Sequence, residues 1–567
     1  MSLADRLSKA KDLLIGDEPF ADVFDGQFRP HQIGEKWLRQ AFECRAGGWW
    51  STHKRSQREE AVRGPGERSS ARSVGGARTT RSSGAAGPRS RHAELPDVIG
   101  YQDIVHQWDR GYRARLEALI RSGDTGPRGA QIHDFPKNET AVRPLAHFDP
   151  RDRIIYEAMV YRLAPRIDRH FHPYVYGYKW WHRLARPVPW SACWGRMKES
   201  TRSTLRRNPA LRIAHTDVSA FYEHIDIGSL VESLYDLDGD ESPGEDLAAF
   251  LNRFQSVTDA RGLPQGPDAS GILANLVLMP VDAFLAREKF PFARYSDDIR
   301  IFHRDRTALR DVLIEITRLL RGMGLTIAGA KTRILDPEEG LAEELDTRYS
   351  SLKHAVKNGI PGSRDKVREE FESLDKEGTY SGTKTRFVLN RMSELGDDYA
   401  VSWCLESLER TPHAVTEVFR YLAITGRSRE REITSHLARF IDQGVSASFP
   451  FTEQRILRYF LSTQDSPAKT KEAAWMVLED RNRQDYSREV AARYAGKHAS
   501  LAESRILRNR FEREQIPAVR RALLVGLYES GHLTSDYLSR VKDAYAHLRW
   551  TCTFLATEPD IALPKIG

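Results

Sequence analysis

The stretch Phe292-Ala-Arg-Tyr-Ser-Asp-Asp-Ile-Arg-Ile-Phe302 constrains the fold of this chain more than any other. Two short runs of apolar and aromatic residues, Phe292–Tyr295 and Ile299–Phe302, flank the adjacent acids Asp297 and Asp298. Such runs on either side of a tight polar turn read as a β-hairpin with two acids at its tip. Carboxylates so placed repel unless a cation sits beside them, and a divalent metal is the natural resolution. An acidic surface turn would carry the same dipeptide, so the deciding question is whether a third carboxylate stands on a strand of its own.

One does. In Leu211-Arg-Ile-Ala-His-Thr-Asp217, the residues Leu211, Ile213, His215 and Asp217 alternate onto one face, the period of a strand that ends at the acid. Ile225–Leu234 then reads as a helix, and enough chain lies between Asp217 and Asp297 for a helix-containing crossover that sets strand beside hairpin. Three carboxylates at adjacent strand ends can hold two Mg²⁺ ions about 3.5–4 Å apart, with Mn²⁺ an acceptable substitute, and so support in-line displacement at phosphorus.

Two further blocks surround these acids. Gly262-Leu-Pro-Gln-Gly-Pro-Asp-Ala-Ser270-Gly-Ile-Leu-Ala-Asn275-Leu is a turn leading into a helix, with Ile272, Leu273, Leu276 and Val277 at helical spacing. Met323-Gly-Leu-Thr-Ile-Ala-Gly-Ala-Lys331-Thr332 follows the hairpin. Asp217-x3-Phe-Tyr, Leu263-Pro-Gln-Gly with Ser270, Tyr295-Ser-Asp-Asp and the Gly-Leu…Lys331-Thr block stand in the order and approximate spacing of the reverse transcriptases. Over roughly residues 135–340 the chain resembles that family.

The resemblance implies an RNA-directed DNA polymerase with Asp217, Asp297 and Asp298 as metal ligands. Tyr222 would be the bulky residue that excludes a ribose 2′-hydroxyl, and Gln265 and Gly266 would line the nucleotide and template pocket. Lys331 would neutralise or protonate the leaving pyrophosphate, unless it is an ordinary surface lysine. Lys137-Asn-Glu-Thr-Ala-Val-Arg143 before the helix start Asp152-Arg153 resembles the family's fingers. Arg143 is there the candidate for gripping a triphosphate and Lys137 a weaker one. The family's usual glycine between them is missing, with Glu139 and Thr140 in its place.

Tyr174-Val-Tyr-Gly177-Tyr-Lys179-Trp-Trp-His-Arg183, continuing to Trp190 and Trp194, interleaves aromatics with cations, as a strand-binding surface does. Tryptophans this dense usually belong to a core, so most are expected to be buried, with Lys179 and Arg183 meeting backbone phosphate. Ser270 and Tyr295 are assigned to the same template and primer side.

At 567 residues the chain has multidomain length, and its net charge of +7 suits a polyanionic partner. Cys44, Cys193, Cys404 and Cys552 lie far apart without a C-x-x-C pair, which favours neither a zinc site nor a disulfide framework and fits a reducing cytoplasm. No apolar run approaches membrane-spanning length, and Met1–Gly16 lacks a signal-peptide core. Residues 2–15 and 31–44 read as helices, whereas the Arg-, Ser- and Gly-rich tract over roughly 55–92 reads as disordered, a basic arm or a solvated insertion. Asp103–Arg121 reads as one helix.

Beyond about residue 345 the family pattern fades. Helical segments of about 10–15 residues with short breaks suggest stacked helical hairpins: Ala400–Arg410, His413–Thr425, Glu430–Asp442, Glu453–Ser462, Lys469–Glu479, Tyr486–Ala495, Leu501–Arg510, Pro517–Ser530 and Ser535–Ala556. Arg431…His436 and Arg493…His498 have the Arg-x4-His spacing of a helical ribonuclease family, which an arginine-rich chain also generates by chance.

The expected class is α+β: right-hand polymerase fingers and palm, an antiparallel sheet with helices, followed by a HEAT-like α-helical repeat domain in the thumb position. The expected divisions are 1–54 (N-terminal helices), 55–94 (basic insertion), 95–210 (fingers), 211–345 (palm) and 346–567 (helical repeats). Reverse-transcriptase motifs joined to such a C-terminus resemble the bacterial abortive-infection and defence-associated (unknown-group) reverse transcriptases. That resemblance implies dNTPs, an RNA template or bound non-coding RNA, and a DNA product; a homo-oligomer or a partner polymerase is compatible with it, and the lack of a long apolar run leads to the expectation of no membrane. A template-independent or protein-primed polymerase on the same fold, and an RNA-binding scaffold with a retired site, are the rival readings.

Overall fold

The computed structural model describes residues 97–238, 242–345, 347–377, 382–463 and 467–563. The expected N-terminal helices and basic insertion lie outside them.

In chain order, strands β1 (Ala130–Pro136) and β2 (Val142–Phe148) form an antiparallel hairpin. Helix α1 (Pro150–Arg169) follows, capped by the Asp149 carboxylate, which accepts a hydrogen bond from Arg151 N–H, with Pro150 in the first turn. The two-residue strands β3 (Trp180–Trp181) and β4 (Arg186–Pro187) pair and lead into α2 (Trp190–Arg207). Next come β5 (Arg212–Thr216), α3 (Asp268–Val277), α4 (Met279–Arg287), β6 (Phe292–Tyr295), β7 (Asp298–His303), α5 (Arg306–Gly322) and β8 (Arg333–Leu335).

Strands β6, β7, β5 and β8, in that spatial order, make one antiparallel sheet. Directly paired residues share a face, and both faces are covered. Ile213, Ala293, Phe302 and Leu335 pack on Met197 and Leu205 of α2. Ala214, Phe292, Ile299 and Ile301 face the other way, into a core shared with Ile272 and Leu276 of α3 and Leu309, Val312 and Ile316 of α5. Two-sided burial explains why β7 reads as a nearly unbroken apolar run.

The C-terminal half is helical. Helices Gly382–Leu395, Val415–Thr425, Pro450–Ser462, Asp485–Lys497, Pro517–Glu529 and Arg549–Leu555 each pack on the next in one row. Val401–Glu406, Glu430–Asp442 and Ala468–Glu479 make a second row beside it. Helices Thr347–Lys357 and Ser363–Glu377, and Gly382–Leu395 at the start of the array, fall inside the expected 346–567 helical division, although no individual helix was expected there. The expected single helix Asp103–Arg121 is instead Gln102–Gln107, a 3₁₀ turn and Tyr112–Arg121, broken at Gly111 with φ +121°. Ser535–Ala556 is likewise interrupted, at Tyr545–Leu548.

The array touches β1 and the residues that precede it. Phe135 of β1 meets Phe451 edge-on at 4.9 Å, and His133 stacks on the same ring. Arg521 binds Asp97 and Asp103, and Arg493 is fully buried between Glu529 and the carbonyls of Val98 and Ala562. Arg493 is thus a structural clamp, which removes one of the two Arg-x4-His pairs from consideration as a nuclease site. No single described helix is long and apolar enough to cross a membrane; the one bent pair that passes on composition, α3 with α4, is core.

The crossing of Asp485–Lys497 with Pro517–Glu529 is glycine-dependent: a Cβ on Gly526 would lie 2.7 Å from the Arg493 carbonyl and 2.9 Å from Gly496 Cα. Backbone cannot yield as a flexible side chain can, so Gly526→Ala is expected to lower stability by about 1–3 kcal/mol. Urea unfolding of the variant would check this, and an unchanged midpoint would contradict it.

Candidate active site

The last β5–β7 pair is Thr216 with Ile299, so Asp217 stands one residue beyond the strand, beside Asp298. Tyr295 pairs with Asp298, which leaves Ser296 and Asp297 as a two-residue hairpin turn. Ser296 adopts φ +56°, a left-handed conformation that a non-glycine residue holds only under constraint from its surroundings.

The constraint is a buried guanidinium. Arg294 is 0% exposed. Its Nε and Nη2 donate to the two Asp282 carboxylate oxygens at 2.7 and 2.5 Å, and its Nη1 donates to Asn275 Oδ1 at 2.8 Å and to the Ser296 carbonyl at 2.9 Å. Asn275 Nδ2 in turn donates to the Gly177 carbonyl at 2.8 Å. The backbone of Tyr174–Tyr176 runs alongside, exchanging two hydrogen bonds with Arg294. Gly177 passes so close that a Cβ there would sit 2.7 Å from Ser296 N. Helices α3 and α4 and the Tyr174–Gly177 segment therefore all converge on the turn that carries Asp297.

On the opposite side, the chain after α5 is tied to the end of β5. Ala328 N–H donates to the Asp217 carbonyl at 2.7 Å, Ser219 N–H donates to Thr326 O at 2.8 Å, and the Thr216 and Thr332 hydroxyls share a hydrogen bond of 2.9 Å. This brings Lys331 Nζ onto the Asp217 carboxylate. Arg300 lies under Asp298 at 3.6 Å, pairs with Glu344 at 2.6 Å and stacks against Trp194.

Burial and the neighbouring Asp217 carboxylate push Asp297 up to about 6. Burial also raises Asp298, against the pull of Arg300. Carboxylates lifted in this way have a deficit of positive charge around them, and the donor chemistry, all oxygen, fits a hard divalent cation. Among the described residues no group of three or more His, Cys, Asp or Glu side chains closes into a metal-ligand cluster, and Lys331 lies against Asp217.

The other expected residues fall in different places. Tyr222 is buried behind the turn, its hydroxyl 3.5 Å from Ser296 Oγ. Its carbonyl receives Leu263 N–H at 2.8 Å, and a Cβ on Gly262 would clash with that carbonyl. The Gln265 carbonyl receives Ala146 N–H of β2 at 2.8 Å, and Gly266 adopts φ +125°, so the Gln265–Gly266 loop ties the β1–β2 hairpin to the start of α3. Tyr295 meets Trp194 edge-on.

Ser270 is fully buried and shares a 2.8 Å hydrogen bond with Tyr156, so it is a core residue where a strand contact was expected. Lys179 is bound to Asp168 at 3.0 Å. Arg183, Arg143 and Lys137 are exposed. Arg143 pairs with Phe135, on the hairpin face turned to Phe451, while Ala146 and Phe148 carry the opposite face into the core shared with α1 and the four-stranded sheet. Of the tryptophans expected in the core, Trp180 is 4% exposed but Trp181 is 42% and Trp190 43%.

Arg294, Asp282, Asn275, Arg300 and Glu344 were not anticipated as site residues. A signal existed for the first two: alternation in β6 turns Arg294 inward, and Asp282 is the one acid in the apolar run Met279–Leu285. Removing the Asp282 charge leaves the Arg294 guanidinium buried and uncompensated. Asp282→Ala is therefore expected to cost about 3–5 kcal/mol in urea unfolding; a loss under 1 kcal/mol (about one-third of the lower bound) would contradict the role given to this pair.

A family model described as "Reverse transcriptase (RNA-dependent DNA polymerase)" matches residues 135–358. No curated protein matches the chain. Among solved structures, telomerase from Candida albicans in complex with a fragment of telomeric RNA is 13% identical, with a TM-score of 0.29 over 56% of this chain and 66% of that one. Apo telomerase from Candida tropicalis is 11% identical, with a TM-score of 0.27 over 59% of this chain and 72% of its own. Likenesses at such scores carry no argument. The family match does: residues 135–358, which include the Asp217, Asp297 and Asp298 site, are a reverse transcriptase domain, and the enzyme class it indicates is RNA-directed DNA polymerase, a nucleotidyltransferase.

Proposed function

We propose that this protein copies RNA into DNA at the Asp217, Asp297 and Asp298 site by two-metal nucleotidyl transfer. The observation that carries the reading is the convergence of these three acids at one end of a buried sheet, inside a reverse transcriptase domain. The three carboxylates would hold Mg²⁺ or Mn²⁺. The bound ions would supply Lewis acidity toward the 3′-hydroxyl and the triphosphate.

The remaining roles belong to the chain itself. Lys331, 55% exposed, would leave Asp217 when a cation arrives and meet the developing charge on pyrophosphate. Tyr222, packed behind Ser296, would wall the sugar and exclude a 2′-hydroxyl. The Gln265–Gly266 loop would floor the pocket between β2 and the palm. Arg143 and Lys137, exposed near the tip of the β1–β2 hairpin, would reach phosphate from the side facing the helical array.

The C-terminal helices are taken as HEAT-like repeats standing in for a thumb, and the whole as a cytoplasmic antiphage enzyme of the abortive-infection type. The array is packed against β1 through Phe135 and Phe451. Such a wall suits one dedicated RNA or a growing single strand better than an arbitrary primer–template duplex. A restricted product, started without an added primer, is therefore the second reading.

The test is incorporation of labelled dNTPs with Mg²⁺ on a primed RNA template, in parallel with a reaction lacking template and primer. DNA made in either reaction supports nucleotidyl transfer, and the reaction that yields it separates the two readings. Asp297→Asn is expected to fall to background in both, and Lys331→Ala to slow incorporation about 100-fold. Wild-type rates in Asp297→Asn would remove the site assignment.

A further inference from the structure

Beneath Asp298 lies a second buried cation, and two carboxylates face it. Arg300 of β7 pairs with His215 of β5 and Ala293 of β6, and with Ala293 and Phe302 it turns toward α2. Its Nη1 lies 2.6 Å from Glu344 Oε1, whereas its Nε stays 3.6 Å from Asp298 Oδ1. That Nε is shielded from water and makes no hydrogen bond, so the contact with Asp298 is left open. The Glu344 side chain is 4% exposed and that of Asp298 34%. Water and salt therefore screen the Arg300–Glu344 attraction less than the competing one.

Backbone holds Glu344 in that place. It stands in the last turn of helix Pro337–Leu345. Arg202 of α2 donates through Nε to the Glu344 carbonyl at 2.8 Å and through Nη2 to the Leu345 carbonyl at 3.5 Å, satisfying acceptors that the helix end leaves over. The same helix rides on β5 at Gly340, where a Cβ would lie 2.6 Å from Ile213 Cγ2. His215 Nε2 comes to 3.6 Å from the Glu344 oxygen that meets Arg300. Trp194 lies 5.4 Å from the Arg300 guanidinium and bounds it on a further side.

Competition between the two acids matters for the site. Were Arg300 to close the remaining gap, its guanidinium would occupy the Asp298 oxygens that a divalent cation needs. We infer that Glu344 is a positioning residue: it withholds Arg300 from Asp298 and so keeps that carboxylate available to the cation. The inference rests on the metal-site reading of Asp217, Asp297 and Asp298, and adds to it a residue that touches neither substrate nor metal. Partners standing one step behind the ligands in this way change metal affinity about 10–100-fold when they are replaced.

The test is Mn²⁺ titration of the full-length, nucleotide-free protein at fixed pH, read by electron paramagnetic resonance, with a thermal melt of each variant. Glu344→Asp keeps the charge but draws the carboxylate back by a methylene. It is expected to weaken Mn²⁺ binding about tenfold, as is Glu344→Gln. Glu344→Gln/Arg300→Met also removes the released guanidinium, and is expected to return to within about threefold of wild type. Wild-type affinity in Glu344→Asp overturns the inference, because only net charge would then matter. So does a double variant as weak as Glu344→Gln. A lowered melting midpoint with unchanged Mn²⁺ affinity overturns it too, as the mark of a purely structural ion pair. Asp297→Asn separates the two levels. If that variant binds Mn²⁺ like the wild type, the metal site falls and this inference with it; loss there beside intact binding in both Glu344 single variants removes the inference alone.

Discussion

Everything at this site rests on one buried cation. The Arg294 guanidinium, with no access to water, finds four acceptors: both oxygens of Asp282, the Asn275 amide and the Ser296 carbonyl. Only a fully satisfied network makes such burial tolerable. Satisfying it requires α3, α4 and the β6–β7 turn to arrive in one relative placement, since each supplies a different acceptor. The last acceptor is the backbone of the turn itself. Ser296 can therefore be held in its left-handed conformation, and Asp297 is fixed beside it.

That rigidity has an electrostatic use. Acids that repel one another would swing apart on a flexible loop, yet here Asp297 and Asp298 are carried by a hairpin pinned from behind, and Asp217 by a strand end tied to Thr326–Thr332. Burial and, after it, repulsion by Asp217 then appear as raised proton affinity, with Asp297 lifted to about 6. Lys331 against Asp217 and Arg300 beneath Asp298 offset part of it. The arrangement is one in which an arriving cation gains binding energy that the fold has already stored as unfavourable charge proximity.

The hairpin, the strand ending at Asp217 and the helix after Pro267 were legible because each is declared locally, by alternation, turn residues or helical spacing. The Arg294 network was not, because Asp282 and Asn275 become its partners only through packing distant in sequence. The fate of the tryptophans was also hidden. Composition argued for burial, but Asp168 sets the hairpin register, and the register sends Trp180 in and Trp181 out. Ser270 illustrates the reverse, a motif residue that the fold uses to bind Tyr156 in the core. The helices at Thr347–Lys357 and Ser363–Glu377 escaped because they are largely polar, with few apolar residues to mark a buried stripe.

The most direct test of the central claim is Mn²⁺ binding to the nucleotide-free protein, followed by electron paramagnetic resonance across a pH series. Protonation of Asp297 competes with the cation, so saturable binding is expected above pH 7 and should weaken as pH falls through about 6. It should be lost at every pH in Asp217→Asn. Binding that is flat in pH, or that survives the substitution unchanged, would mean that these acids do not form the metal site on which this account depends.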